Sequence, residues 1–187
     1  MARVVLQMGV TLDGYVAGPD GEADWRLPAE HRDVGAWKIA SLRRVGIHIM
    51  GRVTYEQMAE HWPKATDDYA VFMNTLPKVV FSKTLPTAAA WPGARIARGD
   101  LAAAITALKA ETDGEIMAHG GARFVQALSR LRLIDEYRLV ILPVALGNGL
   151  PLFKDLPRPL RLDLEEARSF PDGTLINVYR PIEPSSC

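Results

Sequence analysis

The stretch Ile47-His48-Ile49-Met50-Gly51-Arg52-Val53-Thr54-Tyr55-Glu56 decides how the rest of the chain is read. Ile47 to Met50 has the apolar, β-branched character of a short buried strand. Glycine then turns the chain, and Arg52 to Glu60 reads as a helix stopped before Trp62-Pro63. A second stretch repeats the design. Glu115 to Ala118 is a strand, and His119-Gly120-Gly121-Ala122-Arg123 leads into a helix from Ala122 to Arg130. A helix N-terminus exposes unpaired N–H groups and partial positive charge, which favours phosphate. Glycine lets a phosphate approach the backbone, and an arginine in the first turn adds a charged fork. Either turn alone is an ordinary strand-to-helix connection. Two of them, each with its arginine, point to a ligand carrying several phosphates, such as a dinucleotide. The route is not the Rossmann one, because Gly147-Asn148-Gly149 is followed by a proline segment rather than a helix.

Outward from these turns, Arg3 to Val10 is a buried first strand, and Thr11 to Asp24 is a loop of successive turns around Asp13-Gly14, Gly18-Pro19 and Asp20-Gly21. Pro28 to Val45 takes a helical pattern, with Gly46 as its terminator. Lys78 to Phe81 and Ala94 to Ala97 are strands. Asp100 caps an alanine-rich helix through Glu111, closed by Gly114. The tail is β-rich, with strands at Glu136 to Leu142, Leu160 to Ala167 and Leu175 to Arg180. Strands that alternate with helices and then follow one another predict an α/β fold. Its central sheet is mixed and mostly parallel, with antiparallel C-terminal strands. The 187 residues read as one domain, 1–187.

Composition sets limits. The chain is 48% hydrophobic and 24% charged, with 22 basic and 22 acidic residues, so nothing in its overall charge favours nucleic acid or an acidic membrane. No apolar run approaches the roughly 20 residues of a membrane helix. The N-terminal run is short, contains Gln7, and looks like a strand rather than a signal peptide. The sole cysteine, Cys187, excludes an internal disulfide and fits a cytoplasmic location. His31, His48, His61 and His119 lack ligand spacing, so no metal is expected.

Met50-Gly51-Arg52-Val53-Thr54-Tyr55-Glu56 resembles the M-G-R-x-T-[WY]-E segment of dihydrofolate reductases, and Gly120-Gly121-Ala122-Arg123-Phe124 resembles their Gly-Gly turn. Val79-Val80-Phe81-Ser82-Lys83 falls between them, where those enzymes have a strand ending in serine on the adenosine side. Thr11-Leu12-Asp13-Gly14-Tyr15-Val16-Ala17 looks like the S-L-D-G-x-I-A signature of the riboflavin-pathway reductase domain. Leu133 to Tyr137 and Gly147-Asn148-Gly149-Leu150-Pro151-Leu152-Phe153 look like later parts of the same domain. In this order the motifs resemble the dihydrofolate-reductase-like, or RibD C-terminal-like, family, and cover most of the chain. The resemblance implies a three-layer fold with helices on both sheet faces, a stand-alone reductase, NADPH as hydride donor, a small-molecule substrate and a homodimer.

The resemblance also implies roles. Gly51, Arg52, Val53 and Thr54 should hold cofactor phosphate and ribose, and Gly120, Gly121, Ala122, Arg123 and Phe124 the pyrophosphate. Arg52, Arg123 and Ser82 or Lys83, beside Phe81, are candidates for the 2′-phosphate. Backbone groups at Val10 and Ala17 should meet the nicotinamide carboxamide. The Gly120–Gly121 peptide should be cis, a state costing roughly 3–4 kcal/mol. Trp25-Arg26-Leu27-Pro28-Ala29-Glu30 matches a W-x-L-P-x-[DE] segment, which makes Glu30 the candidate catalytic and substrate-binding acid and Trp25 a pocket wall. Glu30 also suits a helix's first turn, where acids complement the dipole. Asp13 either lines the substrate pocket or closes an Asx-turn. His48 reads as core or cofactor-adjacent, and His119 carries no assigned role.

The substrate stays open. Riboflavin-pathway reductases grip a ribose phosphate with D-N-P-x-L-T-x-R, whereas Trp62-Pro63-Lys64-Ala65-Thr66-Asp67-Asp68 does not match. The H-x-E and P-C-x-x-C pattern of a zinc deaminase is missing. A pterin, an aminopyrimidine resembling the riboflavin-pathway aminouracil, or another conjugated imine is expected. The alternative is a non-catalytic nucleotide-binding or regulatory module on the same fold.

Overall fold

Apolar runs that are continuous rather than alternating belong to strands covered on both faces. The computed structural model of the chain, which describes residues 1–25 and 32–182, places them that way. Strands β1 (Val4–Thr11), β3 (Val45–Gly51), β4 (Lys78–Phe81), β5 (Ala94–Ala97), β6 (Glu115–Ala118) and β7 (Glu136–Leu142) run parallel, and β9 (Leu162–Ser169) and β10 (Leu175–Pro181) complete an eight-stranded sheet. Its order is β5-β4-β3-β6-β1-β7-β10-β9, with β10 antiparallel to both neighbours. Neighbouring residues in a strand go to opposite layers. Leu6, Ile49 and Ala118 pack with α4 (Leu101–Glu111) and α5 (Ala122–Arg130). Val5 and Met117 pack instead with Leu42 of α1 (Arg32–Leu42) and against Phe72 of α3 (Asp68–Thr75). Helix α2 (Arg52–His61) joins that second layer through Tyr55, which packs with Met73 of α3.

Four local readings are corrected by the coordinates. The first helix ends at Leu42, and Gly46 lies inside β3. A Cβ there would sit 2.0 Å from the Asp113 carbonyl oxygen, so this glycine serves a close approach of the α4–β6 connection and ends no helix. The loop from Thr11 to Asp24 contains β2 (Tyr15–Ala17), paired antiparallel with β8 (Leu150–Pro151). Helix α3 occupies a segment without an assigned element; its start is set by Asp67, whose carboxylate accepts from the N–H groups of Tyr69 and Ala70. The Gly120–Gly121 peptide is trans, because the turn is made by Gly121 at φ +90°, a conformation that glycine reaches without a cis bond. Among the described residues no helix is long and apolar enough to cross a membrane.

One polar plug holds the α3 corner. Lys78 is fully buried, and its Nζ donates to the carbonyls of Asn74, Leu76 and Pro92 at 2.8–3.1 Å. It also lies 4.8 Å from the centre of the Trp91 ring. The carbonyls come partly from the end of α3, the negative pole of its dipole. Burial still pulls the ammonium down from 10.5 to about 8. The folded chain therefore releases this proton near pH 8, whereas the unfolded chain keeps it until about pH 10.5, so stability rises between those values. Lys78→Met leaves the three carbonyls without their donor. Urea unfolding should show a loss of roughly 2 kcal/mol at neutral pH. The variant should also lose the alkaline rise in midpoint shown by the wild type; equal slopes for both proteins would contradict this account.

Candidate functional site

The site begins where two parallel strands part. β1 pairs with β6 only from Val4 to Leu6, yet it continues beside β7 as far as Thr11. Beyond Leu6 the β6-facing edge of β1 has no strand against it among the described residues. Chain direction across the sheet also reverses here, since β3, β4 and β5 lie to one side of β1 and β7 to the other. In open α/β sheets such a crevice at the carboxyl ends of the strands is where ligands bind. A cavity of about 550 Å³ opens there, lined by Gln7, Met8 and Gly9 of β1, Lys38 and Ile39 of α1, Thr54, Gln57 and Met58 of α2, and His119, Gly120 and Gly121. Ser41 of α1 fixes the roof by donating to Gln7 Oε1 at 2.6 Å.

The two glycine turns form one wall. Ile49 of β3 registers with Ala118 of β6, so α2 and α5 start at the same end of the sheet. A Cβ on Gly121 would lie 2.6 Å from Thr54 Oγ1, which shows how closely the two turns meet. A Cβ on Gly51 would lie 3.1 Å from Phe124 Cβ, and the Phe124 ring stacks on Phe81 with centroids 5.2 Å apart. Gly51, Thr54, Phe81, Gly121 and Phe124 are thus brought together. The helix starts also differ in kind. α3 and α4 are capped by the Asp67 and Asp100 carboxylates, whereas α2 and α5 have glycine caps and no side-chain cap bond. No cap side chain takes their first N–H groups, though in α5 the Phe124 N–H already donates to the Gly121 carbonyl at 3.0 Å. Such a cradle fits phosphate.

The remaining candidates fall in several places. Arg52 is exposed and paired with Glu56 at 3.0 Å, a weak surface contact that an anion can replace. Val53 and Arg123 are exposed and Ala122 is buried. Ser82 Oγ accepts from the N–H groups of Thr84 and Leu85, which shapes the turn carrying exposed Lys83. Val10 is buried in β1 opposite Ile141, and Ala17 pairs with Leu150. Asp13 is not on the cavity wall. Its carboxylate accepts from Thr11 Oγ1 at 2.6 Å and from the N–H groups of Gly147 and Leu146, and these bonds, Thr11's first, hold it below the usual carboxylate range. Trp25 is half-buried, and Glu30 lies outside the described residues.

Sequence reasoning read His48 as core or cofactor-adjacent and gave His119 no role; it did not pair them. His48 and His119 share the α1–α3 side of the sheet, since His48 and Val5 both register with Met117 and His119 lies two residues on. His119 Nε2 lies 2.8 Å from His48 Nδ1, and His48 Nε2 lies 3.3 Å from the Phe72 carbonyl. Burial pulls His48 down to about 4, and burial followed by the neighbouring His48 holds His119 well below its ordinary range. Both shifts favour the neutral rings. The signal was present in strand parity, but using it required the register between β3 and β6.

Comparison with known proteins agrees with this geometry. The family model described as the RibD C-terminal domain matches residues 2–176. The Bacillus subtilis (strain 168) protein YyaP is 30% identical over 182 residues, covering 95% of this chain and 94% of its own. A crystal structure of a protein from Shewanella sp. PV-4 assigned to riboflavin biosynthesis superposes with a TM-score of 0.79 at 25% identity, covering 98% of this chain and all of that one. Dihydrofolate reductase from Enterococcus faecalis, solved with NADP(H), shares the fold at a TM-score of 0.66 and 12% identity, with 97% of each chain covered. The crevice at the carboxyl ends of the parallel strands, walled by two glycine-capped helices, sits within the matched span, and the chain belongs to the RibD C-terminal domain family.

Proposed function

We propose that this protein is an NADPH-dependent reductase acting on a small planar substrate: a pterin, an aminopyrimidine or a related conjugated imine. The observation that carries the reading is the meeting of two uncapped helix starts at Thr54 and Gly121 beside a ligand-sized cavity. The bound nicotinamide supplies a hydride. The chain's own residues do the rest. The turns Gly51 to Thr54 and Gly120 to Phe124 hold the phosphates, the second through the N–H groups ahead of Phe124, whose own N–H donates to the Gly121 carbonyl, while Arg52, Arg123 and Ser82 or Lys83 select the 2′-phosphate. Backbone at Val10 and Ala17 orients the carboxamide. Trp25 and Glu30 contact the substrate, Glu30 as the acid that helps deliver a proton, and Asp13 shapes the loop that follows β1. On this reading the enzyme is cytoplasmic and a homodimer.

The direct test is thermal melting with NADPH, with NADH and with neither. At a hundredfold excess over its dissociation constant NADPH should add about 2.7 kcal/mol of apparent stability. No shift with either nucleotide refutes the cofactor assignment. Glu30→Gln should lower turnover of an accepted substrate while leaving the NADPH shift intact; equal turnover removes Glu30 from the chemistry.

Two alanine substitutions separate the glycines of the second turn. Gly121→Ala combines φ +90° with a Cβ 2.6 Å from Thr54 Oγ1. It should cost roughly 1–3 kcal/mol in urea unfolding and weaken nucleotide binding. Gly120→Ala meets only the flexible end of Met8, at 3.1 Å, and should lose much less stability. Equal losses would show that the contact between the turns is not what fixes them.

A further inference from the structure

We propose that His48 is a positioning residue that holds His119 as its Nε2–H tautomer, so that the cavity offers an imidazole Nδ1 acceptor and selects ligands bearing an N–H or O–H donor.

The polarity is set from the far end. The Phe72 carbonyl can only accept, so its contact with His48 Nε2 at 3.3 Å requires a proton on that nitrogen. A neutral His48 then has a lone pair on Nδ1. The 2.8 Å contact with His119 becomes a hydrogen bond only if His119 Nε2 is the donor. A neutral His119 protonated at Nε2 has a lone pair at Nδ1. The reverse tautomers would place two lone pairs toward each other at Phe72, which costs a buried hydrogen bond. Among the described residues no protein group bonds to His119 Nδ1, and His119 forms part of the cavity wall beside Gly120.

The cavity wall also carries no carboxylate among the described residues. An N–H donor on the ligand at this point would therefore meet the neutral ring acceptor. That is the chemistry of a lactam or amino edge on a nitrogen heterocycle. A ligand methylated at that edge would leave Nδ1 without a partner and bring a methyl group against it. The inference names the substrate edge within the proposed reductase site, and rests on that reading only for what occupies the cavity.

The test is imidazole ¹⁵N NMR of the full chain labelled at histidine. Wild-type His119 should show the neutral Nε2-protonated signature. His48→Leu should abolish that single-tautomer signature, and His48→Gln, whose amide supplies both an acceptor and a donor, should restore it. Nδ1 protonation in the wild type, or an unchanged His119 in His48→Leu, overturns the proposal. If the leucine variant does not fold, the wild-type and glutamine spectra decide. Lumazine and 1,3-dimethyllumazine serve as the probes. Lumazine should shift the His119 Nδ1 resonance and bind about tenfold more tightly, the equivalent of 1.4 kcal/mol. Equal binding, or no response of His119 to either probe, counts against it. The NADPH melting shift is read on the same samples: its absence refutes the reductase reading and leaves the tautomer result standing.

Discussion

The carboxyl end of the sheet depends on β1 and β6 being clamped at their amino ends and released after three residues. The clamp is ionic and largely buried. Arg138, 1% exposed, donates to Glu136 at 2.7 Å and to Glu115 at 2.9 Å, and Arg3 bridges the same two carboxylates. These carboxylates open β7 and β6, and Arg3 directly precedes β1, so one cluster sets three strands in register. Burial alone would raise the Glu136 carboxyl, but Arg138, Arg3 and Arg180 outweigh it and hold the group low. Removing one member of such a cluster leaves an uncompensated charge indoors, which is far costlier than never having built it. With the amino ends fixed in this way, the strands can diverge at the other end without slipping.

Helix capping divides the molecule along the same line. At α3 and α4 an aspartate satisfies the exposed N–H groups, a contribution of about 1 kcal/mol each. At α2 and α5, beside the crevice, glycine stands at the cap and that side-chain stabilisation is absent.

Much of this was legible in the residues themselves. β4, β5, β6, β7 and α5 fall on the boundaries that their apolar runs and flanking glycines indicate, because those patterns are local. The two glycine turns that wall the crevice were legible for the same reason: a strand, a glycine and an arginine in the first turn are adjacent in sequence. What was hidden depends on long-range contact. Gly46 looks like a helix terminator until Asp113 is placed against it. Asp13 reads as a pocket-lining or Asx-turn residue, and only the fold shows its carboxylate also taking the Leu146 and Gly147 N–H groups. His48 and His119 are 71 residues apart, and only strand register brings them together. Helix α3 is short, and its N-cap Asp67 falls in the stretch compared with a family motif it does not match.

The contact between Thr54 and Gly121 has a consequence for how the chain can vary. With no room for a methyl group between them, the two positions are locked as a pair: a side chain at 121 requires a smaller residue at 54. The same tightness makes the two helix starts a rigid caliper. Its span is set by packing within the chain, through the Thr54–Gly121 contact.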